Sequence, residues 1–513
     1  MSRNKTTPVH SSVISRHQLE ALLPSWLRSA LSSIQQKQKC PIYLVGGTVR
    51  DLLLGRVSHD VDFTVPVAAI AWAELLAAAT RGTFIALGRT EDAARVVIDG
   101  LTVDFSSYRE GAETLAEELM LRDITINSLG LCLDPLLEPT LTPQEIFFVE
   151  DPCGGLEDLG QKRIRATFAD TFGHDPLRML RVYRFASLLD YSLDKDTENL
   201  IQDHCHRIAG ISPERIQHEI EEIMASDRAA AACKAMTKSG LLWQIFPELE
   251  RGKDMAQPES HHLDVFGHSL EALVQMEELL SGGYRQYFGH DSSISFYAAV
   301  KKNRSVLKIS ALLHDVGKPE TCFVDHGRDD RITFYGHDQA GARTVRTIAE
   351  KYRWSRQDML QAARLVSNHM RPFHLLNVGR RGEVTPKACL RLLQSVGEDL
   401  PGLFLLALAD SLAGKGKQSP EGIEKELVLL YEQIEQLRCE QVMPVLKNSP
   451  LINGKDLIRE LQLEPGPLFR IILDAVVEAQ IEQTVRSRQE AFALARSIIK
   501  EKGTCQERRH AKS

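Results

Sequence analysis

Residues 43–63 read YLVGGTVRDLLLGRVSHDVDF. A short apolar strand runs into Gly46-Gly47, a helical stretch follows, and Asp60-Val61-Asp62 begins the next strand. Residues two apart on a strand point to the same face, so Asp60 and Asp62 present two carboxylates together while Val61 and Phe63 face a core. Such a pair is costly unless a cation neutralises it, and magnesium favours oxygen ligands. The glycine pair lets a phosphate chain approach the backbone with no Cβ in the way. The helix that follows directs free amides at negative charge, and Arg50 lies one turn into it. Alone, a glycine pair or an Asp-x-Asp reads as a surface turn or a solvated acidic pair. In this order they read as a phosphate cradle beside a metal site. Asp104, between Val103 and Phe105, is the expected third acid on a neighbouring strand. Two ions held about 3.5–4 Å apart by such acids activate an attacking hydroxyl and stabilise a leaving oxygen.

The chain has 513 residues, 43% hydrophobic and 26% charged, which is ordinary for a globular protein of several domains. No run approaches about 18 consecutive apolar residues, and the N-terminus lacks the apolar core of a signal peptide. The nine cysteines form no C-x-x-C pair and read as reduced thiols of a cytoplasmic protein. A net charge of −7 excludes a chain basic overall but leaves room for locally basic surface. Two stretches qualify: RMLRVYRFA (178–186) and the tail KEKGTCQERRHAKS (500–513).

Apolar spacing predicts a helix over 18–36 and strands at 42–45, 60–65, 83–87, 94–99 and 101–108. Helices are expected over 48–55 and 68–80. This alternation makes a mixed α/β head. From about 161 the signals are almost wholly helical. Ser212-Pro213 is a helix start, residues 251–260 read as a linker, 414–422 as a looser segment, and Pro465-Gly466-Pro467 as a break in a last helical block. The expected divisions are a helical lead (1–36), the head (37–160), a helical neck and body (161–255), a histidine-rich block (256–425) and a helical tail (426–513).

GGTVRDLLLG followed by DVDF resembles the signature of class II tRNA nucleotidyltransferases and bacterial poly(A) polymerases, of the polymerase-β-like superfamily. LRDITINSL (121–129), EDPCGGLEDLGQKRIR (150–165), HDPLRMLRVYRFA (174–186), SPERIQHE (212–219) and LINGKDLI…LEPGPLF (451–469) resemble further motifs of that family, in its order. The resemblance implies an α+β chain: a polymerase-β-like head with a mixed sheet, then all-α neck, body and tail. It implies magnesium on Asp60 and Asp62, with Asp104 as third catalytic acid. Gly46, Gly47 and Arg50 would hold a triphosphate, and Arg122, Asp123 and Asn127 the nucleotide's phosphate and ribose. The partners implied are CTP, ATP and the 3′ end of tRNA or another RNA.

In the family an Asp and an Arg serve as a protein template for the base, and here they match Asp175 and Arg178. The i, i+3 spacing would put both on one helix face. A carboxylate only accepts hydrogen bonds and a guanidinium only donates. Cytosine and adenine each offer an amino donor beside a ring acceptor, whereas uracil and guanine present a carbonyl where the Asp needs a donor. Without the upstream motifs the same pair reads as a surface ion pair. Arg181 and Arg184 are further candidates for phosphate.

The histidine-rich block carries FGHSLEAL, ALLHDVGKPE, YGHDQAGA, SNHMRPF and LALADSLAG. This order resembles the HD phosphohydrolase superfamily. The resemblance gives His268, His314, Asp315 and Asp410 as metal ligands, His337 and His369 as extra ligands of a two-metal site, and Lys318 as a phosphate contact. Mixed imidazole and carboxylate ligands suit Mn, Ni, Co, Fe or Zn better than Mg. The expected activity is on phosphomonoesters or cyclic phosphodiesters; the alternative is a scaffold that only binds RNA.

Departures from the family pattern fall at Leu121 (usually Arg), Ser128 (usually Ala), His174 (usually Glu) and the short segment between Phe105 and Arg122. They leave open whether the product is CCA, CC, A or a longer A tail. An alarmone synthetase–hydrolase also joins the two domain types, but with HD first.

Overall fold

The computed structural model describes residues 12–510 apart from 57, 89–91, 139–142, 260, 328–329, 382–383 and 417–421, and describes side chains as far as Glu501. The basic tail after Glu501 and most of the segment 414–422 thus lie outside the described side chains. The chain divides into two compact units, residues 1–247 and 248–513.

The first unit is organised by strands β2 (Tyr43–Val45), β3 (Asp60–Val65), β4 (Thr83–Gly88), β5 (Ala93–Ile98), β6 (Leu101–Ser107) and β7 (Gly130–Cys132). They form one mixed sheet in the order β4-β5-β6-β3-β2-β7, with only β3 and β6 parallel. Period-2 alternation decides its faces. Val61, Phe63, Val96, Val103 and Phe105 are buried, while Asp60, Asp62, Arg95 and Asp104 take the other face.

Helix α3 (Gly47–Leu53) follows β2, and α4 (Ala69–Thr80) covers the apolar face with Trp72 fully buried. The helix expected over 18–36 is two helices, α1 (Arg16–Leu22) and α2 (Ser25–Gln38), because Pro24 cannot continue the first. Leu19, Leu23, Leu27, Leu31 and Ile34 recur at helical spacing and are buried in the same core as Val61, Phe63 and Phe105. The helical lead therefore shares the head's core. Strand β1 (Val13–Ser15) pairs with β8 (Ile146–Phe148), and the sequence signalled neither.

Helices Arg178–Leu189, Lys195–His204, Pro213–Ala225 and Ala229–Lys238 complete this unit. The helix after Ser212 starts at Pro213 as expected, yet the Ser212 side chain makes no capping bond.

In the second unit, helices Val265–Glu278, Lys301–Leu313, His337–Lys351, Arg356–Asn368 and Leu400–Ala413 carry the His and Asp motifs at their ends or inner faces. Residues 251–259 are turns tied back by Asp264, which accepts from the amides of Asp254 and Gly267. A last group of helices closes around Leu457, Ile472, Val476 and Ala495, with the expected break before Pro467. Among the described residues one stretch, Pro386–Ala413, is long and apolar enough to cross a membrane. It is interrupted at Gly397, and 72% of its most apolar window is buried inside the protein.

Candidate functional site

Strand register builds the first site. Asp62 stands opposite Asp104 on parallel strands, and Arg95 stands opposite Asp104 on the antiparallel side. Both Asp104 oxygens accept from Arg95, each at 2.8 Å. The three predicted acids share one face and line one cavity of about 610 Å³. Burial, then the neighbouring charges of Asp104 and Asp60, push the Asp62 carboxyl above its ordinary value, with Arg122 pulling the other way. Buried carboxylates crowded in this way favour a bound cation.

Gly46 sits at φ +72°, and a Cβ there would lie 2.8 Å from Arg122 Nη1 and 3.5 Å from Asp62 Oδ2. Only glycine allows the turn and leaves the acid open to a ligand. Thr48 ties turn to strand, its hydroxyl accepting from the Asp62 amide at 2.9 Å. Arg50 donates to Asn127 Oδ1 and to Asp51, and lies over the Phe185 ring at 5.2 Å. Arg181 and Arg184 lie over the same ring at 5.6 and 4.6 Å. Three cations thus gather around one aromatic ring. Phe185 was missed in the sequence because it reads as core; the signal was its place directly after Arg184 and one helical turn after Arg181.

Buried charges around the cavity are paired. Burial alone would raise the Asp123 carboxyl, but Arg181, donating at 2.7 Å, holds it well below the usual carboxylate range. Asp123 in turn raises Arg181. Burial, with the Arg109 charge, lowers Arg122 to about 10 against the opposing pull of Glu118. The fully buried Glu118 also binds Arg109 at 2.8 Å. Arg122 was expected beside the nucleotide, but its grouping with Arg109 through Glu118, like Arg95, was not anticipated; Glu118 lies on the helix Leu115–Met120 and the two arginines on the loops that flank it. Eight arginines and six aspartates line the cavity, so it favours an anion.

Asp175 and Arg178 both line the cavity but do not share a helix face. Asp175 has extended backbone (φ −143°, ψ 101°) just before the helix that begins at Arg178. One of its oxygens accepts from the Leu177 amide and the other from Arg215 at 2.7 Å. Leu177 and Pro176 intervene as a turn, which breaks the assumed helical register. Arg178 donates to Thr171 Oγ1 and to the Leu121 carbonyl at 2.8 and 2.9 Å. Since Leu121 serves through its backbone, its departure from arginine leaves that contact intact.

The second site gathers all six predicted ligands. His268 Nε2 is 2.9 Å from Asp410 Oδ1, and His314 Nε2 is 3.3 Å from Asp315 Oδ2. On the other side His337 Nε2 and His369 Nε2 are 3.1 Å apart, and Asp315 Oδ1 is 3.4 Å from His337. These make two groups able to hold a metal, His268/His314/Asp410 and Asp315/His337/His369, with Asp315 between them.

The Nδ1 atoms of His314, His337 and His369 each lie 2.7–2.8 Å from a carbonyl three residues back. Those contacts put the ring proton on Nδ1 and turn the Nε2 lone pairs inward. Two facing lone pairs repel unless a cation lies between them. His314 Nε2 and both Asp315 oxygens make no well-shaped hydrogen bond. Burial would lower His314, but Asp315 and Asp410 raise it to about 10, so the carboxylates draw positive charge to its Nε2, which either a proton or a metal ion can supply. The donor set fits divalent metal at both groups. Lys318 pairs with Asp315, consistent with its expected position beside the site. His261 packs edge-on against His268 at 4.6 Å and is lowered to about 4 by burial and by Lys318; it belongs to no motif and was not anticipated.

Family models match four consecutive segments. They are the poly A polymerase head domain (42–165), a probable RNA and SrmB-binding site of polymerase A (190–252), the HD domain (265–414) and tRNA nucleotidyltransferase domain 2 (422–495). An A-adding tRNA nucleotidyltransferase of Deinococcus radiodurans is 31% identical over 89% of this chain and 95% of its own. A CC-adding tRNA nucleotidyltransferase of Synechocystis is 28% identical over 89% and 93%. A Thermotoga maritima CCA-adding enzyme, solved with tRNA, superposes with a TM-score of 0.59 at 20% identity, over 95% of this chain and 99% of that one; at that identity the likeness is one of fold.

Proposed function

The chain belongs to the tRNA nucleotidyltransferase family, and on that premise we propose that it adds C, A or both, from CTP and ATP, to the 3′ end of tRNA in the cytoplasm. The observation that carries this reading is the register pair Asp62–Asp104, with Asp60, facing a cavity in which arginines outnumber aspartates. Asp60, Asp62 and Asp104 would hold magnesium, which when bound activates the attacking hydroxyl and neutralises the leaving oxygen. Gly46, Gly47, Arg50, Arg181 and Arg184 take the triphosphate, and Arg122, Asp123 and Asn127 fix the sugar-phosphate. The RNA's 3′ oxygen bonds the α-phosphorus, the α–β bridging bond breaks, pyrophosphate leaves, and the hydroxyl proton passes to solvent. Asp175 and Arg178 read the base edge.

Extension of tRNA lacking CCA, CC-ended tRNA and an unrelated RNA, each with single nucleotides, tests this. Addition of C or A to the tRNAs alone is expected. Long A tails on any RNA would replace it with a poly(A) polymerase, and no addition would reject it.

The inward Nε2 lone pairs favour a second activity, hydrolysis of phosphomonoesters or cyclic phosphodiesters by a pair of Mn, Ni, Co or Fe ions. Asp315, whose oxygens lie near histidines of both groups, would help hold them, and Lys318 would contact the phosphate. Hydrolysis assays across these metals test it; folded protein inactive with all of them would leave the domain as an RNA-binding scaffold.

A further inference from the structure

The sheet's outward face does not end at the acids. Across the strands, Asp62, Asp104, Arg95 and Ile85 stand in one row, each opposite the next. Val97, two residues from Arg95, shares that face. A bulge between Ala86 and Gly88 on edge strand β4 leaves Leu87 outside the ladder, and Leu87 lines the same cavity as Asp62. Ile85, Leu87 and Val97 are 43%, 51% and 37% exposed. Scattered surface aliphatics need no explanation. By register Ile85 lies between the levels of Val97 and Leu87; the three border an edge strand where exposed apolar surface invites aggregation, and the row reaches the catalytic cavity at Leu87.

Attack on the α-phosphorus is in line, so nucleophile and leaving group lie on opposite sides of it. The sheet order assigns those sides. Gly46-Gly47 and Arg50 follow β2, one neighbour of β3; a Cβ on Gly47 would lie 3.3 Å from Arg50. The leaving phosphates therefore belong on the β2 side, and the nucleophile comes from the β6–β5–β4 side.

Resting on the transfer reading above, we infer that Ile85, Leu87 and Val97, with the half-exposed face of Arg95, form the shelf on which the RNA's 3′-terminal nucleotide lies. The side chains of the three aliphatic residues offer no donor or acceptor to a base edge, so they support a ribose or base face without reading its identity. That suits a strand whose last nucleotide changes with each addition, while selection of the incoming base stays with Asp175 and Arg178. Arg95 joins the two, its guanidinium held on Asp104 and its face turned to the shelf. It is a positioning residue.

The test uses the full chain and a tRNA primer. Leu87→Asp and Val97→Asp should raise the KM for tRNA about tenfold, the worth of one lost base contact, with nucleotide binding by calorimetry and thermal unfolding unchanged. Leu87→Met and Val97→Ile should behave as the parent. Independently of any variant, a primer ending in 4-thiouridine should photo-crosslink to a peptide within residues 83–98. The inference falls if the parent extends tRNA while both Asp variants keep its tRNA KM, or if nucleotide affinity falls as much as tRNA affinity, or if the crosslink maps only to helices 178–225. If the parent extends no RNA, the transfer reading falls first.

Discussion

Asp104 stands in register beside Asp62 on the adjacent parallel strand, and Arg95 grips both of its oxygens. The Asp104 carboxylate is thereby aimed before any ligand arrives, and its charge is shared between an arginine and the metal side of the cavity. Asp62→Asn should abolish nucleotide addition. Arg95→Ala should weaken magnesium affinity by about 10–100-fold and so raise the magnesium the reaction needs, as loss of a partner behind a metal ligand does. Magnesium titration of the addition rate separates the two, since Arg95→Ala should recover at high magnesium and Asp62→Asn should not.

Base selection rests on a less direct geometry than a helix face. Arg178 is anchored on Thr171 and the Leu121 carbonyl, and Asp175 on Arg215. Arg178→Ala should leave metal dependence intact and lose discrimination worth about 1–3 kcal/mol per unpaired group. The kcat/KM ratio of CTP or ATP to UTP or GTP measures it. A variant still restricted to C or A at the parental rate would show that the pair does not select.

The metal count of the second unit follows from Asp315 lying between two ligand groups. The intact chain should hold two divalent ions by elemental analysis, and His369→Ala one. A Cβ at Gly317 would run into the His337 carbonyl and the Gly341 amide, so Gly317→Ala should displace His337 and lower the count similarly without replacing a ligand.

Much of both sites was legible because their ligands sit at fixed intervals in regular elements. Asp60 and Asp62 follow from strand period alone, and the strand over 60–65 has the bounds that alternation gave. Sheet order was not legible: that β3 pairs in parallel with β6 depends on packing of α4 and the loops, which one-dimensional periodicity does not encode. Arg95 and Glu118 escaped for the same reason, each being meaningful only through a partner on another element. The Asp175–Arg178 spacing misled because i, i+3 implies a shared face only inside a helix, and Pro176 stands at a turn before one. The binuclear arrangement was legible only in order, while its chemistry depends on three carbonyls that hold the histidine tautomers.

Acid should weaken the first unit through Asp123. Its folded pKa lies below the unfolded value, so its pairing with Arg181 stabilises fully above the unfolded pKa, about 3.9, and is lost as pH falls through the folded value. Asp123→Asn removes that component and leaves Arg181 and Glu219 3.8 Å apart as the remaining pair. At pH 6 the variant should unfold at a lower temperature than the parent, and at pH 3 the gap should narrow because the parent loses the same charge in its unfolded state's favour. A gap that stays constant between pH 6 and pH 3 would assign the loss to packing and not to the ion pair.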